Sequence, residues 1–80
     1  MRRGRSTNKD TLSSAAASVQ TNGILKGDGE TVRGPQGTTV TMNGGIGTAR
    51  TATVTDGNGQ TIGTVHVDHN CNVTGTTPAK

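Results

Sequence analysis

The sequence predicts a mainly β chain: a small module of short strands, arranged as a meander, a barrel or a sandwich, behind an extended N-terminal arm. Three observations predict this class. Threonine and glycine dominate the composition, turn signals recur after residue 23, and β-branched residues alternate with polar ones between the turns. None of the 80 residues is Phe, Trp or Tyr. The interior must therefore be built from aliphatic side chains and threonine methyl groups.

The apolar content is low for a chain that folds alone. Only 26% of the residues are hydrophobic, and small domains usually need disulfides, a metal or oligomerisation to offset the entropy of ordering. The single cysteine, Cys71, excludes an internal disulfide. We therefore expect the chain to order in an oligomer or against a larger protein assembly, and not as an isolated folded monomer.

Residues 1–22 are predicted to form a basic arm, and residues 23–80 the β-rich module. The net charge is +3, yet the first nine residues alone carry +4. Such an arm can dock on an acidic protein surface or make nonspecific contacts with nucleic acid phosphates. The candidate partner-docking residues are Arg2, Arg3, Arg5 and Lys9.

A short helix over residues 11–20 is one interpretation of the segment that follows the basic residues, and an extended arm is the other. Asp10 or Thr11 is available as an N-cap. The helical interpretation depends on apolar residues at helical spacing, which are Leu12, Ala15, Ala16 and Val19.

From residue 23 onward, glycine-containing turns separate short alternating runs. The turn signals lie at residues 27–29, 34–37, 43–45 and 56–59. Between them, the apolar residues that should share one face of a sheet are Val40 with Met42 and Ala52 with Val54. Threonines occupy the alternate positions, which predicts half-buried strands. One turn of an intertwined β-solenoid would also fit this spacing.

The longest alternation covers residues 64–74 and predicts one half-buried strand. Its apolar face comprises Val65, Val67, Cys71 and Val73, together with His69. The opposite, more exposed face comprises His66, Asp68, Asn70, Asn72 and Thr74. Gly63 is predicted to mark a β-bulge, because Ile62 is out of phase with Val65.

His66, His69 and Cys71 are the candidate metal ligands, because imidazole and thiolate are transition-metal donors. On a single strand, His69 and Cys71 point away from His66, so each side of the strand supplies too few ligands. We therefore expect no metal site, no cofactor and no catalytic residue. A Cys–His pair would also need an orienting group, an oxyanion hole and a cleft, so we expect no enzymatic activity.

These features favour a structural component of a large assembly. A virion accessory protein, such as a bacteriophage capsid decoration or cement protein, fits them best, with copies of itself and capsid or tail proteins as partners. A trimeric tail fibre or spike segment, a repetitive surface filament subunit and a basic-arm nucleic-acid-binding protein remain alternatives. No apolar run follows Met1, so we expect no secretory signal and no membrane partner, with assembly into a virion in the host cytoplasm.

Overall fold

The computed structural model describes residues 8–79, with side chains from residue 10 onward. Helix α1 (Asn8–Ser18) continues as a π-helical turn, Val19–Gly23, and five strands follow. The strands are β1 (Thr31–Arg33), β2 (Thr39–Asn43), β3 (Arg50–Thr55), β4 (Thr61–Val67) and β5 (Val73–Pro78), with a 3-10 turn, Pro35–Gly37, between β1 and β2. The prediction of a mainly β chain is confirmed.

The strands form one open antiparallel sheet in the order β1-β2-β3-β4-β5. This order is a meander, one of the arrangements that the sequence left open. Each strand pairs with its neighbour in the chain, so short turns suffice for every connection. The described strands therefore form neither a closed barrel nor a second packed sheet.

The helical interpretation of the segment before the sheet is confirmed, but the helix begins at Asn8, so Asp10 and Thr11 lie inside α1 and neither is its N-cap. Leu12, Ala15 and Val19 are fully buried, and Ala16 packs against the same cluster. A helix of this length is marginal in water and depends on packing for its stability. Because α1 lies against β4 and β5, its apolar stripe shares one core with the strands.

The core lies between α1 and one face of the sheet. Strand positions alternate between the two faces with a period of two, as the sequence predicted. The predicted pairs Val40 with Met42 and Ala52 with Val54 are all fully buried. The buried hydrophobic residues of the core are Leu12, Ala15, Val19, Val32, Val40, Met42, Ala52, Val54, Val65 and Val67.

Gly63 lets the helix approach the sheet. A Cβ at residue 63 would lie 2.5 Å from Leu12 Cδ1 and 2.8 Å from the Thr77 carbonyl oxygen, so only glycine fits beneath the leucine. The pairing of β3 with β4 also shifts here, since Val54 pairs with Gly63 while the next residue of β3 pairs with Thr61. The predicted bulge is present, and its extra residue is Ile62.

The predicted single strand over residues 64–74 is wrong. Strand β4 ends at Val67, the chain reverses over residues 68–72, and β5 begins at Val73. The reversal is stabilised by Asp68, whose Oδ1 accepts backbone hydrogen bonds from Asn70 and Asn72, each at 2.9 Å. Alternation of side chains cannot continue through a turn, so the predicted register fails after Val67.

The outcome for the predicted apolar face follows from this turn. Val65 and Val67 are buried in the core, whereas Cys71 lies in the turn and is half-buried. Val73 is also half-buried, and it reaches the core face from β5, where it pairs with Val67. Cys71 therefore does not continue the face that Val65 and Val67 form.

Candidate interaction surfaces

The sheet face opposite α1 is lined mainly by threonine, and we call it the threonine face. One row of threonines crosses all five strands in register: Thr31, Thr41, Thr53, Thr64 and Thr77. Thr39, Thr51, Thr55 and Thr61 lie on the same face in the flanking rows. The four other positions of this face are Arg33, Asn43, His66 and Gly75.

Some hydroxyls of the threonine face are bonded within it and others are not. Asn43 Nδ2 donates to Thr53 Oγ1 at 2.8 Å, and His66 Nε2 lies 2.7 Å from Thr77 Oγ1. Three hydroxyls of the middle row have no hydrogen-bond partner within the described part of the chain, namely those of Thr31, Thr41 and Thr64. Each of these is free to donate to or accept from a group outside the chain.

With one exception, the charged side chains of residues 10–79 lie away from the threonine face. Lys26, Asp28 and Glu30 occupy the loop before β1, and Asp56 and Asp68 occupy hairpin turns. Within residues 10–79, Arg33, on the short edge strand, is the one arginine, lysine, aspartate or glutamate on the threonine face. Depletion of charge at the centre of a broad surface is typical of protein interfaces.

Both edges of the sheet carry features that discourage pairing with another strand. Strand β1 has only three residues. At the start of β5, Gln20 occupies the outer backbone groups, because its Nε2 donates to the Cys71 carbonyl at 3.2 Å and its Oε1 accepts from Val73 N–H at 2.8 Å. At the other end, Pro78 has no N–H to offer. Short strands and edge prolines are common devices against edge-to-edge association.

Two loops, one before β1 and one between β2 and β3, meet at the end of the sheet where β3 begins, and hydrogen bonds from Arg50 connect them. Its Nη1 donates to the carbonyls of Lys26 at 2.6 Å and Gly44 at 2.9 Å, and its Nη2 donates to the Ile24 carbonyl at 2.8 Å. Arg50 is only 5% exposed, and its Nε has no partner among the described groups. The carbonyl dipoles thus replace water around the guanidinium. Sequence reasoning missed this role, since nothing local distinguishes Arg50 from a surface arginine.

The two loops that Arg50 connects expose two aliphatic side chains to solvent. Leu25 is 75% exposed and Ile46 is 50% exposed, and they are the exposed large hydrophobic residues of the described chain. This chain has few apolar residues, yet Leu25 and Ile46 lie in surface turns, where they add no buried apolar area to the core. This loop end is therefore a second, smaller candidate surface for contact with a partner.

The candidate metal ligands do not converge. His66 lies on the threonine face, while His69 and Cys71 lie in the turn between β4 and β5. Within the described residues, no group of three or more His, Cys, Asp or Glu side chains is placed to hold a metal ion. The candidate docking residues Arg2, Arg3 and Arg5, and the side chain of Lys9, lie outside the described part of the structure.

A shallow open depression of about 480 Å³ lies beside β1, lined by residues 31–34 and 37–39. Its polar groups are threonine hydroxyls, backbone groups and the Arg33 guanidinium, with no histidine, cysteine or carboxylate. Such a lining supplies no general acid or base near neutral pH and no strong nucleophile.

No helix within residues 8–79 has both the length and the apolar character needed to cross a lipid bilayer. Comparison of the chain with protein-family models, with curated proteins and with solved structures found no match.

Proposed function

We propose that this chain is a structural, non-enzymatic subunit of a large protein assembly, and that the assembly is a virus particle on which it acts as a capsid decoration or cement protein. The threonine face is the observation that supports the proposal. It spans all five strands, and its hydroxyls and methyl groups can make both polar and apolar contacts. Because its centre carries no arginine, lysine or carboxylate, a partner can cover it without desolvating a strongly hydrated charge.

The chemistry of the described residues favours contact over catalysis. The closest approach to a catalytic pair is His66 with the Thr77 hydroxyl, at 2.7 Å. Activation of a hydroxyl needs an orienting group on the other ring nitrogen and donors for the developing oxyanion. Among the described residues, no hydrogen bond to His66 Nδ1 is present, and the pair lies on an open sheet face without a cleft. The pair is better explained as a cross-strand contact that orders the threonine face.

The sheet edges favour a discrete subunit over a fibre or filament. In a fibre, strands of neighbouring chains would continue the sheet through β1 or β5. The short β1, the Gln20 amide on the start of β5 and the proline at its end all act against that continuation. A decoration protein instead contacts its partner through a face, which this sheet leaves open.

The test is whether the chain is a stoichiometric component of particles through its threonine face. Virions purified on a density gradient from the organism that encodes this chain should contain it in a fixed ratio to the capsid protein, as measured by quantitative mass spectrometry. Recombinant chain added to particles lacking it should co-sediment with them. Thr53→Lys, which places a charge at the centre of the face, should abolish co-sedimentation. Ser13→Lys, on the exposed side of α1, is the matched control and should bind normally.

Absence of the chain from purified particles, or equal binding by Thr53→Lys and Ser13→Lys, would contradict the proposal. Circular dichroism should first show that both variants keep the fold of the wild-type chain.

A further inference from the structure

We infer that the threonine face is covered by the same face of a second copy, so that two chains form a dimer with threonines at its centre. This inference rests on the proposed function and names the partner of the free chain: a second copy covers the threonine face in solution, and the particle surface replaces that copy when the chain binds. Two properties of the face support it, its symmetry and its hydrogen-bonding groups, and its area limits the strength of the dimer.

The face is complementary to itself. A twofold dimer requires that one patch match its own rotated copy. Thr53 lies on the middle strand of five and in the middle of the threonine row. Rotation about an axis along β3 brings β1 opposite the second copy's β5, and β2 opposite its β4. Thr31 then faces Thr77, Thr41 faces Thr64, and Thr53 faces its own copy.

The flanking rows agree with the same axis. His66 and Asn43 lie in one row, separated by Thr51, so the rotation places each opposite the other on the second copy. An imidazole and an amide each offer both a donor and an acceptor. Arg33 lies on the edge strand and falls at the rim, where its charge stays in water. The arrangement therefore brings no like charges together.

The free hydroxyls favour a second threonine face over an apolar partner. A buried hydroxyl without a hydrogen bond costs roughly 1–3 kcal/mol, and an apolar surface would leave Thr31, Thr41 and Thr64 unpaired. A second row of threonines supplies a donor and an acceptor at each position. The β-branched side chains are also restricted at χ1, so little rotamer entropy is lost on contact.

The area is sufficient for a weak dimer. Five strands about 4.8 Å apart, with about five residues each at about 3.3 Å, give a face of roughly 400 Å² in plan. Two such faces bury roughly 800 Å² in plan and somewhat more with side-chain relief. That area is below the roughly 1,200–2,000 Å² that stable specific interfaces bury and lies in the range of weak, transient ones. We therefore expect a reversible dimer that dissociates on dilution.

The test measures the mass of the isolated full chain by sedimentation equilibrium over about a hundredfold range of concentration centred in the micromolar range. The wild-type chain should pass from monomer to dimer. Thr53→Lys should raise the dissociation constant at least tenfold, because it places two like charges together on the axis, while Ser13→Lys should leave it unchanged. A monomer at every concentration, or equal dissociation constants for the two variants, would overturn the dimer.

A second measurement decides the matter if Thr53→Lys does not fold. In a Cys71→Ser background, Thr53→Cys places one thiol on the axis, so mild oxidation should link two chains much faster than it links Ser13→Cys. Equal rates would overturn the inference. A monomeric chain that still co-sediments with virions would remove the dimer but leave the proposed function intact. A chain that dimerises but is absent from virions would support the dimer and contradict the proposed function.

Discussion

The two hairpin turns that flank β4 have the same hydrogen bonds but different sequences. In each, a leading aspartate donates its backbone N–H to the carbonyl four residues later, from Asp56 to Gln60 and from Asp68 to Asn72, both at 2.9 Å. In each, Oδ1 of that aspartate accepts from the backbone N–H groups two and four residues later, all at 2.9 Å. The two turns are therefore one structural motif used twice.

The difference lies at the fourth position of the motif, where the backbone is left-handed. Gly59 has φ +83° in the first turn, and Cys71 has φ +66° in the second. Glycine adopts this conformation freely, whereas a Cβ makes it unfavourable by roughly 1–2 kcal/mol. The second turn thus forms although a residue other than glycine occupies its left-handed position. We infer that the hydrogen bonds of the aspartate and the surrounding contacts offset that unfavourable conformation.

The largest effect is expected from removing the shared aspartate. Asp56→Ala and Asp68→Ala each delete an acceptor of two backbone hydrogen bonds, so each should lower the free energy of unfolding by roughly 1–2 kcal/mol, as measured by denaturant titration. Asp68→Ala should lower the free energy of unfolding more than Asp56→Ala, because the left-handed conformation of Cys71 already makes the second turn less favourable.

The matched controls are Asp56→Asn and Asp68→Asn, which keep the Oδ1 acceptor and should retain most of the stability. If alanine at either position were neutral, the aspartate would not be what stabilises the turn.

The second effect tests the left-handed position directly. Gly59→Cys makes the first turn resemble the second and should destabilise the protein by about 1 kcal/mol. Gly57→Cys is the control, because Gly57 lies in the same turn without a positive φ, and a Cβ there would make only an ordinary contact, 4.0 Å from the Gly37 carbonyl oxygen. Thermal melts of the two variants should differ by several degrees, since about 1 kcal/mol shifts the midpoint of a domain this small by roughly 4–8 °C. Equal melts would show that backbone conformation at residue 59 is unimportant.

These two turns also show what the sequence can predict. The first was predicted because residues 56–59 carry an Asp-Gly-Asn-Gly signal, in which glycine marks the left-handed position. The second was missed because Cys71 stands where that glycine belongs, and because apolar residues happen to continue the alternation across the turn. The pattern of Asp, then Asn two residues later, recurs in both segments and was the signal available.

Elsewhere, local patterns sufficed and long-range contacts did not. Alternation predicted the core positions of β2 and β3, and helical spacing predicted the buried stripe of α1. The threonine row was not predicted, because it depends on the register of all five strands and not on any one of them. The role of Arg50 was also hidden, since its carbonyl partners Ile24 and Lys26 lie more than twenty residues away in the chain.

The third effect concerns a contact that only the second turn possesses. Gln20, just past α1, bonds to the Cys71 carbonyl and to the Val73 N–H. Gln20→Ala should lower stability by a little under 1 kcal/mol, because both bonds are partly exposed to water. Hydrogen exchange should accelerate at Val73 but not at Gln60, at the end of the first turn. Thr21→Ala, at an exposed neighbouring position, is the control, and equal acceleration at both turns would indicate a global rather than a local loss.

The smallest expected effect is an increase in the stability of the protein. Cys71→Gly gives the second turn the residue that the first turn uses, which relieves the left-handed Cβ but adds unfolded-state entropy. The two contributions oppose each other, so we expect a net stabilisation of about 0.5 kcal/mol, seen as a small rise in the melting midpoint. Cys71→Ala separates the causes, because it removes the thiol and keeps the Cβ. If alanine stabilises as much as glycine, the thiol and not the backbone is unfavourable at this position, and the comparison of the two turns loses its physical basis.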